Sequence, residues 1–169
     1  MFAALKNLLA DLGQTETPRR FGEDDYRVAA VALLVHVADA DGVTDAAESR
    51  RLKTLVKERF GLDAGEAAAL IREAQQSDRE AVDFYHFTHV LKRQLDDEGR
   101  HRIIEMMWDM AFADGTVDEI EENTVWRVAE LLGVSNRDRV LLRQKVAAET
   151  RSEAAPEGPW SPKPARGEA

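Results

Sequence analysis

Six carboxylates stand at a repeated spacing in this sequence of 169 residues. Asp41, Asp45 and Glu48 form Asp-Gly-x-x-Asp-x-x-Glu, and Asp114, Asp118 and Glu121 repeat the pattern 73 residues later. Aligning Ala38–Glu48 with Ala111–Glu121 gives six identities in eleven positions, the glycines Gly42 and Gly115 among them. Oxygen ligands so closely spaced suit a hard divalent cation, with backbone carbonyls and water completing its shell, so Ca²⁺ or Mg²⁺ is expected in preference to Zn²⁺. The spacing is not that of an EF-hand, which places more Asp or Asn ligands before its glycine and a Glu at the twelfth loop position. Asp39 adds a further candidate oxygen to the first segment where the second has Phe112.

The same residues have a second chemistry that needs no ion. Gly42 and Gly115 fit the left-handed position just past a helix end, and Asp45 with Glu48, like Asp118 with Glu121, has the N-cap and N3 spacing of a capping box. Such caps stabilise a helix by about 0.5–2 kcal/mol. Capping accounts less well for Asp41 and Asp114. Both are expected in the last turn of an apolar helix, where the macrodipole disfavours a carboxylate by roughly 0.3–1 kcal/mol. A positive partner is therefore expected nearby, either N–H groups of the next helix or a cation.

Other chemistries find little support. With no Cys there is no disulfide, thiolate zinc site, iron–sulfur cluster or thiol nucleophile. His86 and His89 lie three apart without a placed third ligand and read as structural histidines. His36, inside the most apolar stretch, is expected to be a neutral imidazole bonded to an acceptor, with a supporting role behind a metal carboxylate as the sharper alternative. There is no Gly-x-Ser-x-Gly, no phosphate-cradling glycine loop and no His-Glu-x-x-His, so a non-catalytic protein is expected. A metal-assisted hydrolase on the same acids would need them in a cleft with an open coordination position. A purely structural adaptor would show no cation dependence.

Charge and hydropathy narrow the partners. The balance of 23 Lys and Arg against 32 Asp and Glu, a net charge of −9, repels nucleic-acid phosphates and anionic lipid. The longest apolar run, Val28–Val35, is far short of the roughly 18 residues that span a bilayer, and Met1–Leu12 lacks a signal-peptide pattern. A cytoplasmic protein with protein partners is expected, without nucleic-acid binding or membrane insertion, and with a homodimer left open.

The elements that must position the acids are helical throughout, because apolar residues recur at three and four and no sustained alternation of period two is present. Phe2, Leu5, Leu8, Leu9 and Leu12 mark an N-terminal amphipathic helix over residues 1–13, followed by a connector over 14–24. A helix from about Asp25 to Ala40 is apolar nearly all round and is expected at the centre of a bundle. Asp45–Phe60 follows, and Asp63 with Glu66 opens the next helix. Ser77 and Asp78 are expected to open the one after it, whose face is Phe84, Phe87, Leu91 and Leu95. Asp96 and Asp97 precede a helix with Met106, Met107, Trp108 and Met110 as core. Asp118–Leu132 follows, and Ser135 caps a last helix that runs to Thr150. Trp126 is expected toward the edge of its helix's apolar face. Residues 150–169, rich in proline and poor in apolar residues, are expected to be a disordered tail in which Trp160 is the one candidate anchor. The fold class is thus all-α, a bundle of about seven to eight helices in which two pseudo-symmetric α-hairpins each carry one acidic turn.

The doubled Ala-x-Ala-Asp-Gly-x-x-Asp-x-x-Glu pattern, with an apolar helix before it and a glycine-terminated helix after it, resembles the tellurite-resistance TerB family over about Asp25–Ala147. The resemblance implies a seven- or eight-helix bundle with pseudo-twofold halves. It also implies a cluster of acids proposed to bind divalent metal, in proteins of tellurite and other stress responses that have no defined catalysed reaction. By motif match those acids are Asp41, Asp45, Glu48, Asp114, Asp118 and Glu121. The expected domain is residues 25–149, a module for interaction or sensing in tellurite, metal or envelope stress.

Overall fold

The apolar run Val28–Val35 lies within a helix, α1 (Tyr26–Ala38), of whose thirteen residues ten are buried. A helix with no polar face cannot lie at a surface, and α1 is surrounded by the rest of the chain. The computed structural model of the protein describes residues 21–22, 24–40, 42–43 and 45–154. Over these it is all-helical, with α1 followed by α2 (Ala46–Phe60), α3 (Ala64–Glu80), α4 (Tyr85–Gln94), α5 (Asp97–Ala111), α6 (Glu119–Leu132) and α7 (Asn136–Ala154). Helix α1 packs against α2, α3, α4, α5 and α6, while α7 lies along α5. Fully buried Ala29, Ala30 and Ala32 present almost no side chain, which lets neighbouring backbones approach α1 closely. The outer helices α2 to α6 are amphipathic and turn Leu52, Leu55, Leu70, Leu91, Ile104 and Leu132 toward the same core.

The helix ends follow the expected signals at most places. Asp25, Asp45, Asp63, Asp96 and Asp118 are N-caps, three of them in full capping boxes, and Gly61 and Gly133 end α2 and α6 in the left-handed conformation. Ser135 Oγ accepts the Asp138 N–H at the start of α7. One boundary is corrected. Ser77 and Asp78 do not open a helix but lie in the last turn of α3, because the Asp78 carboxylate is taken up by His36 of α1 rather than by a cap. The next helix begins only at Tyr85, whose N–H is accepted by Asp83. Helix α7 continues to Ala154, past Thr150. The expected N-terminal helix of residues 1–13 and the tail from residue 155 lie outside the described residues.

Two sets of contacts hold the hairpins in register. Arg51 of α2 is bonded to Asp109 of α5, with its Nε 3.1 Å from the carboxylate. Below it, Arg59 and Lys145 meet Glu105 at 3.4 and 3.1 Å, so α2, α5 and α7 share one ladder of charges. On the far side Trp108, fully buried, meets the edge of Trp126 at 5.8 Å. The guanidinium groups of Arg143 and Arg139 cover these two rings at 5.5 and 5.3 Å. Met106, Met107 and Met110 are core, as expected.

Because α1 is enclosed, both deletion and addition of volume there should be felt. Leu33→Ala is expected to cost about 2–5 kcal/mol and Ala30→Leu about 1–3 kcal/mol. Val82→Ala, at a fully exposed site, should stay within about 0.5 kcal/mol of the parent in urea unfolding.

Candidate functional site

The two acidic segments fold into turns with the same backbone. After α1 the Asp39 and Ala40 N–H groups bond Val35 and Val37, and after α5 those of Phe112 and Ala113 bond Trp108 and Met110. The Gly42 N–H then bonds the Asp39 carbonyl and the Gly115 N–H the Phe112 carbonyl, each at 2.9 Å. Both glycines have positive φ, 79° and 89°, a conformation that a Cβ would strain. Asp45 Oδ1 accepts the Glu48 N–H at 2.8 Å while Glu48 Oε2 accepts the Asp45 N–H at 3.0 Å. Asp118 and Glu121 repeat this at 2.8 and 2.9 Å. The caps expected at these four acids are therefore present.

The placement of Asp114 differs from expectation. Helix α5 ends at Ala111 with Phe112 as its C-cap, so Asp114 lies beyond the last turn, exposed, and accepts the Thr116 N–H at 2.9 Å. The positive partner it needs is a turn N–H. The helix before the first turn likewise ends early, at Ala38, and Asp41 lies outside the described residues.

The capping aspartates stay exposed while the capping glutamates are buried, Glu48 at 6% and Glu121 at 7% exposure. Burial of a carboxylate raises its pKa, and Glu121 is pushed up to about 7. Desolvation is the largest cause, opposed by the backbone hydrogen bond from Asp118. The charges of Asp118, Asp114 and Glu48 raise it further. Glu48 belongs to the other hairpin, so the fold brings the two turns within reach of each other's charge. Among the described residues no three His, Asp or Glu side chains stand in an arrangement that holds a metal ion.

His36 finds a side-chain acceptor, as expected. Its Nδ1 lies 3.1 Å from Asp78 Oδ1, and this hydrogen bond outweighs the partial burial of the ring and raises its pKa, with smaller contributions from the charges of Asp78 and Asp39. The partner is a carboxylate of α3 rather than one of the turns. The repeat held a signal for such pairs. The counterpart of His36 is Asp109, and two polar groups at the same register of an apolar helix each require a partner. They find Asp78 and Arg51. His86 and His89 are exposed on α4. Trp126 lies at the edge of the core, where its Nε1 donates to Glu122 at 3.1 Å.

A family model described as tellurite resistance protein TerB matches residues 27–144, more than half of the chain. The chain belongs to the TerB family. The matched span of this TerB-family chain runs from the first turn of α1 into α7 and contains both acidic turns. No curated protein and no solved structure gives a significant match.

The pKa shifts set how stability depends on pH. Between pH 4.5 and about 7 the folded state holds a proton on Glu121 that the unfolded state has lost, so stability falls as pH rises through this window. Glu121→Gln keeps an acceptor for the capping box. It is expected to match the parent near pH 4 and exceed it at pH 8, by on the order of 2 kcal/mol after allowance for solvent screening. Thermal unfolding across that range checks it. His36 acts through a raised pKa, so its pairing is fully present below pH 6.5 and lost as pH rises through the folded value. His36→Gln should therefore destabilise the protein at pH 5.5 and converge on the parent at high pH.

Proposed function

We propose that this TerB-family chain is a non-catalytic helical module whose paired acidic turns take up a hard divalent cation, Ca²⁺ or Mg²⁺ in preference to Zn²⁺. In this reading the occupied face presents the module to a protein partner in a response to tellurite, metal or envelope stress. The observation that carries it is that each turn buries a capping glutamate and that the charges of Asp118, Asp114 and, from the other turn, Glu48 all act on Glu121.

The donors fit such an ion by chemistry, since all are carboxylate oxygens. Capping engages Oδ1 of Asp118 and Oε2 of Glu121, and a carboxylate can accept through both of its oxygens. Asp45, Asp114 and Asp118 face solvent, which suits a binding surface more than the enclosed cleft that a hydrolase needs. The cation would offset the repulsion that adds to burial in raising the pKa of Glu121, and would complete its shell with water and with the adjoining turns.

Thermal unfolding of chelator-stripped protein, with Ca²⁺, Mg²⁺, Mn²⁺ and Zn²⁺ added separately, tests this reading. At a hundred times its dissociation constant a cation stabilises the native state by about 2.7 kcal/mol, which for a chain of this size raises Tm by about 5–10 °C. The rise is expected with Ca²⁺ or Mg²⁺, to grow between pH 5 and 8 as Glu121 gives up its proton, and to vanish in an Asp41→Asn, Asp114→Asn double variant. An unchanged midpoint with every cation would leave the acids as caps alone and overturn the proposal.

A further inference from the structure

A groove with an apolar floor runs between the start of α1, the end of α2 and the corner of α4 and α5. Its deeper part, about 340 Å³, is floored by Tyr26, Phe60, Leu95, Ile103 and Met106. A shallower part, about 530 Å³, shares Tyr26, Arg59 and Phe60 with it and continues to Arg27 and Gln94. The rings of Tyr26 and Phe60 meet edge to face at 6.3 Å and leave Tyr26 exposed.

Its arginines do not make it an anion site. Arg27 is paired with Asp25 at 2.8 Å, Arg59 with Glu105 at 3.4 Å and Arg102 with Glu98 at 2.6 Å. With each guanidinium already compensated, the deeper part offers an apolar floor within a polar rim, while the shallow part is lined mostly by polar side chains.

The chain supplies an apolar occupant at the groove's own edge. The described residues begin at Phe21, which is buried and covered by the Arg27 guanidinium at 4.7 Å, and the Asp24 carbonyl accepts from Gln94 of the groove wall at 2.6 Å. The chain thus enters the bundle at the mouth of the shallow part. Upstream, outside the described residues, the sequence places Phe2, Leu5, Leu8, Leu9 and Leu12 on one helical face. The eight residues 13–20 between Leu12 and Phe21 reach at most roughly 30 Å, and a helix of eleven residues is about 17 Å long. The segment cannot go far from the groove, and its local concentration there exceeds that of a separate partner.

We propose that the groove is the docking site of the chain's own residues 2–12, whose apolar face closes over Tyr26, Phe60, Leu95, Ile103 and Met106. Docked in this way, Lys6 and Asp11 of the segment would flank its apolar face toward the polar rim, which carries Glu58 as well as the arginines. This docking is independent of the cation reading, since the groove contains none of the six turn acids.

The full chain allows a direct test, because it has no cysteine to compete with an introduced label. A spin label on Arg102→Cys is expected to remove most of the amide signal of residues 2–12 in the same molecule. Leu5→Asp with Leu8→Asp should substantially reduce that loss and shift the amides of Phe60, Ile103 and Met106. Adding a synthetic peptide of residues 1–13 to that variant should return those shifts toward the parent. In a mixture of isotope-labelled, spin-free protein with spin-labelled, isotope-free protein no loss is expected. Loss in the mixture would seat the segment on a second copy, and the proposal falls. It falls equally if the segment's signals survive beside the label, or if phosphatidylglycerol vesicles capture residues 1–13 while the groove amides of parent and variant coincide.

Discussion

The enclosure of α1 is the constraint on which the rest depends. A helix reading Val-Ala-Ala-Val-Ala-Leu-Leu-Val has no side to give to water, so five helices must cover it, and each supplies one apolar face and keeps one polar face. The alanines decide how close those helices come, and close packing leaves little freedom in where α1 ends. Its carboxyl end therefore delivers the first acidic turn to a defined place. Helix α5 does the same for the second, with Trp108 and the three methionines as its buried face. The position of both turns is thus a consequence of core packing, and the acids ride on it.

At the turns one set of residues carries two demands. The capping boxes need a carboxylate at N3 whose oxygen reaches back to the N-cap N–H, and that geometry folds Glu48 and Glu121 inward against their own helices. Bringing the hairpins together then buries both. Each hydrogen bond to a carboxylate favours its charged form, whereas burial and neighbouring acids favour the neutral one, and at Glu121 the second group of effects wins. A proton and a divalent cation are alternative answers to the same concentration of negative charge. This links helix capping, a local matter, to the protonation of Glu121, which depends on two segments 73 residues apart.

Much of this was legible in the sequence because it is local. Asp-x-x-Glu at Asp45, Asp63 and Asp118 encodes helix starts through side-chain hydrogen bonds that span three residues, and Gly61 and Gly133 encode stops through backbone conformation. The all-round apolar pattern of α1 likewise announced its own burial. What was not legible depended on partners distant in the chain. Ser77 and Asp78 have the local chemistry of an N-cap, yet Asp78 is used by His36, and nothing within a few residues of either reveals the other. The raised pKa of His36 follows from the same partner. That Asp114 lies beyond the end of α5 was not legible, because an apolar run does not by itself say where its last hydrogen bond falls. The approach of Glu48 to Glu121 is a tertiary fact that the repeat suggested only by symmetry.

The described backbone hydrogen bonds of the two turns match while their side chains differ, and the difference has a physical reason. At the C-cap of α1 stands Asp39, exposed, with its charge felt by His36 one turn before it. At the same position after α5 stands Phe112, packed on Trp108 at 6.2 Å and beneath Arg143 at 5.8 Å. The second hairpin carries α7 on its outer side, so its C-cap is given to packing and holds that helix. Among the described helices, α1 has no counterpart of α7 beyond its own C-cap, and its C-cap is given to charge. The two turns present one backbone scaffold with unequal electrostatics, the first turn having one more acid. A cation attracted to the pair would meet the stronger negative potential on the side of Asp39 and Glu48, and Glu121, already reluctant to ionise, would be the carboxylate whose state reports its arrival.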